Sequence, residues 1–414
     1  MKQKTKRAEP PKSAAPKRGL KDWFRKNWLA LALLLVCTAV FALLLVRANR
    51  GRIFNEKSPE EYETEDTVVT VERAEVLNIS KDTVQPNRDN PDQRASGMQT
   101  LLVRLLTGEY EGQTMEIEKH FVGVYTNERI AVGDEITVLQ TVDRATGAAA
   151  VYVRNYDRSS GVYIVLALFL IVVLAVGGRT GLKSLLGLGF TVVALIWIFC
   201  PMWMKGARPV PLAFGLCVLV SVMSFLILGG TGKKILAAIL GTVAGMGLAT
   251  LFSVIAQAIL RIDSYAIYDA DNNFTQLVNL QNAGYPLHAQ GILTAGVVIA
   301  SLGAVMDVAM SLSSSISELK TVNPELTVGR LWKSGMRIGR DMVGTMTNTL
   351  ILAFVGGSLV LVILLWSQGP SYMALLSSRY FSVELISALS SSVGVILAVP
   401  LTAFISSLLF GKSR

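Results

Sequence analysis

Charge is scarce in this chain: of 414 residues, 17% are Asp, Glu, Lys or Arg and 51% are hydrophobic. That balance is too apolar for a soluble protein of ordinary composition, so most of the chain belongs in a membrane. Cysteine is scarcer, with Cys37, Cys200 and Cys217 all inside apolar runs. None falls in the long polar segment, which excludes a disulfide framework and a CxxC metal site and leaves three inert helix thiols. Only His120 and His288 offer imidazoles, too few for a His-rich metal centre. An HExxH pair, the mark of a membrane metalloprotease, is missing as well. The chain therefore reads as a non-enzyme with no cofactor and no metal.

The net charge of +9 is not spread evenly. Residues 1–27 carry ten Lys/Arg against Glu9 and Asp22, a balance of +8. From Arg47 to Arg158 fourteen basic residues face twenty acidic ones, a balance of −6, and the remainder of the chain stands at +7. Segregation of this kind suits a membrane topology. Nucleic acid is set aside as a partner, because its basic residues would gather on one folded domain.

In order, residues 1–27 mix cations with Pro10, Pro11 and Pro16 and read as a disordered cytoplasmic tail. Trp28–Val46 (28–46) is long enough to cross a bilayer and is followed by Arg47-Ala-Asn-Arg50 without an A-x-A site, so an uncleaved anchor is expected rather than a signal peptide. Residues 47–158 form one extracytoplasmic domain. Alternating stretches at Thr67–Val76, Gln99–Leu106, Thr114–Glu118, Glu135–Thr141 and Ala149–Arg154 predict five strands, a small β-barrel or sandwich of OB-like type. Residues 159–414 form a seven-helix membrane domain, with apolar spans near 161–177, 182–200, 210–229, 235–260, 290–317, 342–366 and 383–410. The fold class is thus a mainly α-helical polytopic membrane protein of about eight transmembrane helices, with the β-domain between the first two. Loop cations Arg179, Lys183, Lys233, Lys234, Lys320, Arg330 and Lys333 lie on the tail's side, which puts both termini in the cytoplasm of a cell-membrane protein. Lys205 and Arg208, in an outer loop, dissent.

One span holds a carboxylate. Asp307 lies deep in the apolar run from Gly291 to Ser317, where an Asp costs roughly 2.5–3.5 kcal/mol and is usually paired, wetted or functional. At helical spacing Gly296, Ala300, Gly303, Ala304, Asp307, Ser311 and Ser314 gather about one face, a small-residue surface expected to pack against a neighbouring helix. The next span opens with Arg337, Arg340 and Asp341 and continues with Gly344, Thr345, Thr347, Asn348 and Thr349. Arg337, Asp341, Gly344 and Asn348 share a face, so the two segments are expected to face each other across a polar core. Two weaker motifs fall away. Leu228-Gly-Gly-Thr-Gly-Lys-Lys234 lacks the spacing of a phosphate loop and reads as a tight turn. Asp269-Ala-Asp-Asn-Asn273 has Phe274 where a calcium loop needs glycine.

Gly303-Ala-Val-Met-Asp-Val-Ala-Met-Ser311 and Gly339-Arg-Asp-Met-Val-Gly-Thr-Met-Thr-Asn-Thr349 also resemble the two most recognisable runs of the YibE/F-like membrane proteins. The resemblance implies an architecture and assigns no residue a catalytic or binding role. Two functions follow as expectations. In the first, the chain is a permease or transporter of a small solute or ion, with Asp307 carrying the charge along a polar path. In the second it is a non-transporting assembly or regulatory factor, anchored in the lipid bilayer, whose external β-domain binds a protein partner. Oligomeric state has no signature in the residues.

Overall fold

The computed structural model describes residues 20–50, 67–85, 97–143 apart from 109 and 122–128, 149–262, and 285–411 apart from 289, 368 and 370. Residues 1–19 of the expected tail and the whole Asp269–Asn273 segment lie outside these. The chain divides into two compact units, residues 51–176 and residues 1–50 with 177–414.

The first unit carries five strands, β1 (Thr67–Asp82), β2 (Gly97–Leu105), β3 (Thr114–Phe121), β4 (Glu135–Asp143) and β5 (Ala149–Tyr156). They form one antiparallel sheet in the order β3-β2-β1-β4-β5. Alternation along each strand sends Ala74, Val76, Leu101, Val103, Leu105, Ile117, Ile136 and Val138 into a common core. β1 is the hinge of the sheet. Its first half pairs with β4 from Thr67 to Glu75, and its second half pairs with β2 from Ala74 to Asp82. Bulges between Val76 and Asn78 and between Ile79 and Lys81 bend it. The sheet curls into a half-barrel. Gly133, at φ +90°, makes the turn into β4 and donates its N–H to the Val76 carbonyl at 2.8 Å.

Buried polar groups in this unit are matched. The Gln99 carboxamide, fully buried, accepts from the Ile130 N–H and donates to the Ile130 carbonyl, both at 3.1 Å, and it also donates to Asp82. Arg129 donates to Asp82 at 2.7 Å, and with the Val84 N–H it holds that carboxyl below the usual carboxylate range. Asp157 is held low too, first by hydrogen bonds from Ser159 and then by Arg73, whose guanidinium lies 2.7 Å away and also bridges Glu135.

The helices are α1 (Leu20–Asn49), α2 (Ser159–Val193), α3 (Cys200–Met204), α4 (Pro209–Gly229), α5 (Lys233–Leu260), α6 (Ile292–Val322), α7 (Val328–Gly357), α8 (Leu359–Ser367), α9 (Tyr372–Leu376) and α10 (Arg379–Gly411). Among the described residues six helical runs are long and apolar enough to cross a membrane, and α7 with α8 makes a seventh if the bent pair is one span. α1 begins at Leu20, before the anchor expected at Trp28, because no Pro or Gly interrupts the chain from there to Asn49. Residues 20–27 are therefore helical, against the expected disorder. α2 continues through a π-turn, Ala194–Phe199, to Met204 but breaks at Gly178, where φ is 51° and ψ −131°. The span expected at 342–366 bends by 60° between α7 and α8, at the Gly356-Gly357-Ser358 step. Gly230–Gly232 is a tight turn between α4 and α5, as its sequence suggested, with Gly230 at φ +71°.

Candidate functional site

α6 is the helix the membrane bundle closes around. Its branched apolar side packs on α5 and α10 through Val305, Val308, Leu312 and Ile316, all buried, while Ala295, Val298 and Leu302 meet Leu216, Val220 and Met223 of α4. The closest approaches use glycines of the neighbours. A Cβ on Gly245 would come within 2.8 Å of Val305, one on Gly335 within 2.7 Å of Ile316, and one on Gly229 within 3.4 Å of Met310. Polar bonds fix the ends: Gln257 Nε2 donates to Thr294 at 2.7 Å, and Ser313 donates to the Lys234 carbonyl at 2.7 Å. The Lys234 ammonium reaches Ser314 at 3.3 Å, at the level where α5 begins.

Asp307 points elsewhere. Gly296, Ala300, Gly303, Asp307 and Ser311 are exposed, and a Cβ on Gly296 or Gly303 would meet nothing within 4 Å. Ala304 and Ser314 of this group are half-buried, and Ala304 touches the Val305 cluster. Among the described residues Asp307 has no hydrogen-bond or ion-pair partner. The small face of α6 is thus uncovered by the described residues of the chain. Among the described residues the expected packing of Gly296, Ala300 and Gly303 is absent, because the neighbouring helices take up the other side, where Val305, Leu312 and Ile316 close against their glycines.

α7 turns its polar side outward too. Leu331, Gly335 and Gly339 are buried against α6 and α10, whereas Arg337, Arg340, Asp341, Gly344, Thr345 and Asn348 are exposed. The Gly335–Ile316 and Gly339–Leu312 contacts set an antiparallel register, which carried along both helices puts Asp307 level with Gly344, Ser311 with Arg340 and Ser314 with Arg337. Depth is matched, yet no bond forms. Neither arginine pairs with Asp307, because each helix spends its mutual contact on apolar side chains. The hydroxyls add little of their own: Thr345 bonds the carbonyls of Asp341 and Met342, Thr349 bonds that of Thr345, and the Thr347 oxygen is buried without a partner. Seven residues separate Asp307 from Ser314, so the carboxylate lies about 10 Å inside the level of Lys234.

Two features escaped the reading of the residues. α5 and α10 meet along a seam of small residues, where Cβ atoms on Gly241, Gly245 and Gly394 would collide at 2.0, 2.8 and 2.7 Å with Thr402, Ala398 and Ala249. The four-residue spacings of Gly241, Gly245 and Ala249, and of Gly394, Ala398 and Thr402, were its available signal. Lys205, the dissenting outer cation, donates from Nζ to the Ala48 carbonyl at 2.5 Å, Arg50 at 2.8 Å and Arg47 at 3.5 Å. It caps the C-terminus of α1, where a cation offsets the helix dipole. No group of three or more His, Cys, Asp or Glu that could hold a metal occurs among the described residues.

A bundle of long apolar helices carrying a small β half-barrel defines the chain as a membrane-embedded helical protein. It belongs to the YibE/F-like family, whose model matches residues 165–412. No curated protein and no solved structure matches it.

Proposed function

We propose that the chain is a multi-pass permease-like protein that moves a small solute or ion, with Asp307 as its charge or proton carrier. The observation that carries the reading is a carboxylate about 10 Å along the helix from the level of Lys234, without a partner among the described residues, on an exposed face of glycine, alanine and serine. A lone Asp at such depth needs water, a cation or a partner, and small neighbours leave room for the first two.

The proposed topology has eight spans. A straight helix from Ser159 to Met204 would be about 69 Å long, more than twice the hydrocarbon thickness of about 30 Å, so the Gly178 break is read as the turn between two spans. With α7 and α8 as one span, the even total favours termini on one side. Because Lys205 serves as a cap, its weight as a topology signal falls, and the remaining cations favour a cytoplasmic side for both ends.

The second reading, an assembly or regulatory factor, draws on the β half-barrel, whose edge strands β3 and β5 could accept a partner's strand. Flux of protons, monovalent cations and small anions through purified protein in liposomes separates the two. Transport requires flux that Asp307→Asn removes; flux equal to that of empty liposomes under every gradient would sink it.

A further inference from the structure

The outward side of α7 repeats a charge. Arg330, Lys333, Arg337 and Arg340 follow at intervals of three, four and three residues, and all four are exposed. At about 100° per residue they fall within a sector of about 80°, opposite the buried Leu331, Gly335 and Gly339. None of the four makes an ion pair among the described residues. Asp341 stands at the edge of the stripe, and Glu318 and Glu325 are exposed nearby, so cations remain in excess. Depth matters as much as sign. Arg337 is level with Ser314, which the Lys234 ammonium reaches, and Trp332, 42% exposed, sits further out. A level shared by the Lys234 ammonium and the arginine guanidiniums is that of lipid headgroups. Going inward, the same side changes from cations to Gly344 and Asn348 and then to Leu352 and Val355, both largely exposed. That is the polarity order of a phospholipid: phosphate, glycerol ester, acyl chain.

We infer that this face of α7 binds anionic phospholipid, with Arg337 and Arg340 on the phosphate, Gly344 at the level of the ester and the acyl chain along Leu352 and Val355. Arginine suits the task because its planar fork grips a phosphate through two parallel hydrogen bonds. Loop cations that merely orient a protein in the membrane have no such order, and their attraction to anionic lipid is diffuse. The inference does not rest on the role of Asp307.

The test uses the purified full-length protein in detergent, titrated with phosphatidylglycerol, phosphatidylcholine or inorganic phosphate, with thermal stability and lipid adducts in native mass spectrometry as readouts. Phosphatidylglycerol should stabilise the protein and remain bound, phosphatidylcholine should do neither, and high salt should weaken the effect. Arg337→Gln with Arg340→Gln should weaken the preference about thirtyfold, at about 1 kcal/mol for each cation lost. Should that double variant fail to fold, Arg330→Gln with Lys333→Gln, nearer the helix start, should give a smaller loss in the same direction. Equal responses to the two lipids, or a preference that survives in the variants, would overturn the proposal. Stabilisation by inorganic phosphate alone would assign the stripe to a soluble anion and overturn it as well.

Discussion

At the scale of single residues, Asp307 and Lys205 make opposite predictions. Asp307 has no partner among the described residues to strand, so Asp307→Asn should leave folded yield unchanged or higher, by at most the roughly 2.5–3.5 kcal/mol that a membrane carboxylate costs. For the same reason a double-mutant cycle of Asp307→Asn with Arg337→Gln or Arg340→Gln, scored by yield and melting temperature, should give a coupling energy near zero. A coupling above about 1 kcal/mol would mean that the charges pair after all. Lys205 is the reverse case, a cation saturated with acceptors. Lys205→Met keeps the length of the side chain and removes the donor. It should cost about 1–3 kcal/mol, because three carbonyls lose their shared donor, and the loss should appear as a lower melting temperature.

At the scale of elements, glycine separates contact from open space. Gly245→Val should be poorly tolerated, since overpacking a tight seam costs about 1–3 kcal/mol and neither Ala398 nor Val305 has flexible atoms to move. Gly303→Val, on the uncovered side of α6, should fold normally. Equal folded yields for the two variants in size-exclusion chromatography would contradict the packing. The same pair marks how far the sequence was legible. Helical period was enough to put Gly303, Asp307 and Ser311 on one side of α6 and Arg337, Asp341, Gly344 and Asn348 on one side of α7. It carries no information about which neighbour each side meets, because that is decided by long-range competition among faces. The five strands were legible from alternation, apart from the bulged second half of β1, where alternation slips out of phase. The α5–α10 seam left only small-residue spacings, easily lost among the 35 glycines of the chain.

For the molecule as a whole, acid should act first on the β unit. Asp82 and Asp157 titrate below their ordinary range, so the stability they lend is complete above the usual carboxylate pKa near 4 and is lost as pH falls through their lower folded values. Hydrogen exchange of β1 and β2 in the full-length protein, corrected for the intrinsic rate, should show protection fading on acidification, with a shallower acid limb in Asp82→Asn. Orientation has its own check: an impermeant thiol reagent added outside should label Gln93→Cys and spare Thr321→Cys and Ser413→Cys. The Lys205 cap has one more consequence, which concerns time. The carbonyls it satisfies precede it by 155 to 158 residues, and at about 5–20 residues per second a ribosome needs roughly eight to thirty seconds to supply it. Until then the exit of the first helix lacks this clasp, so the half-barrel encoded in between is synthesised before the anchor gains it.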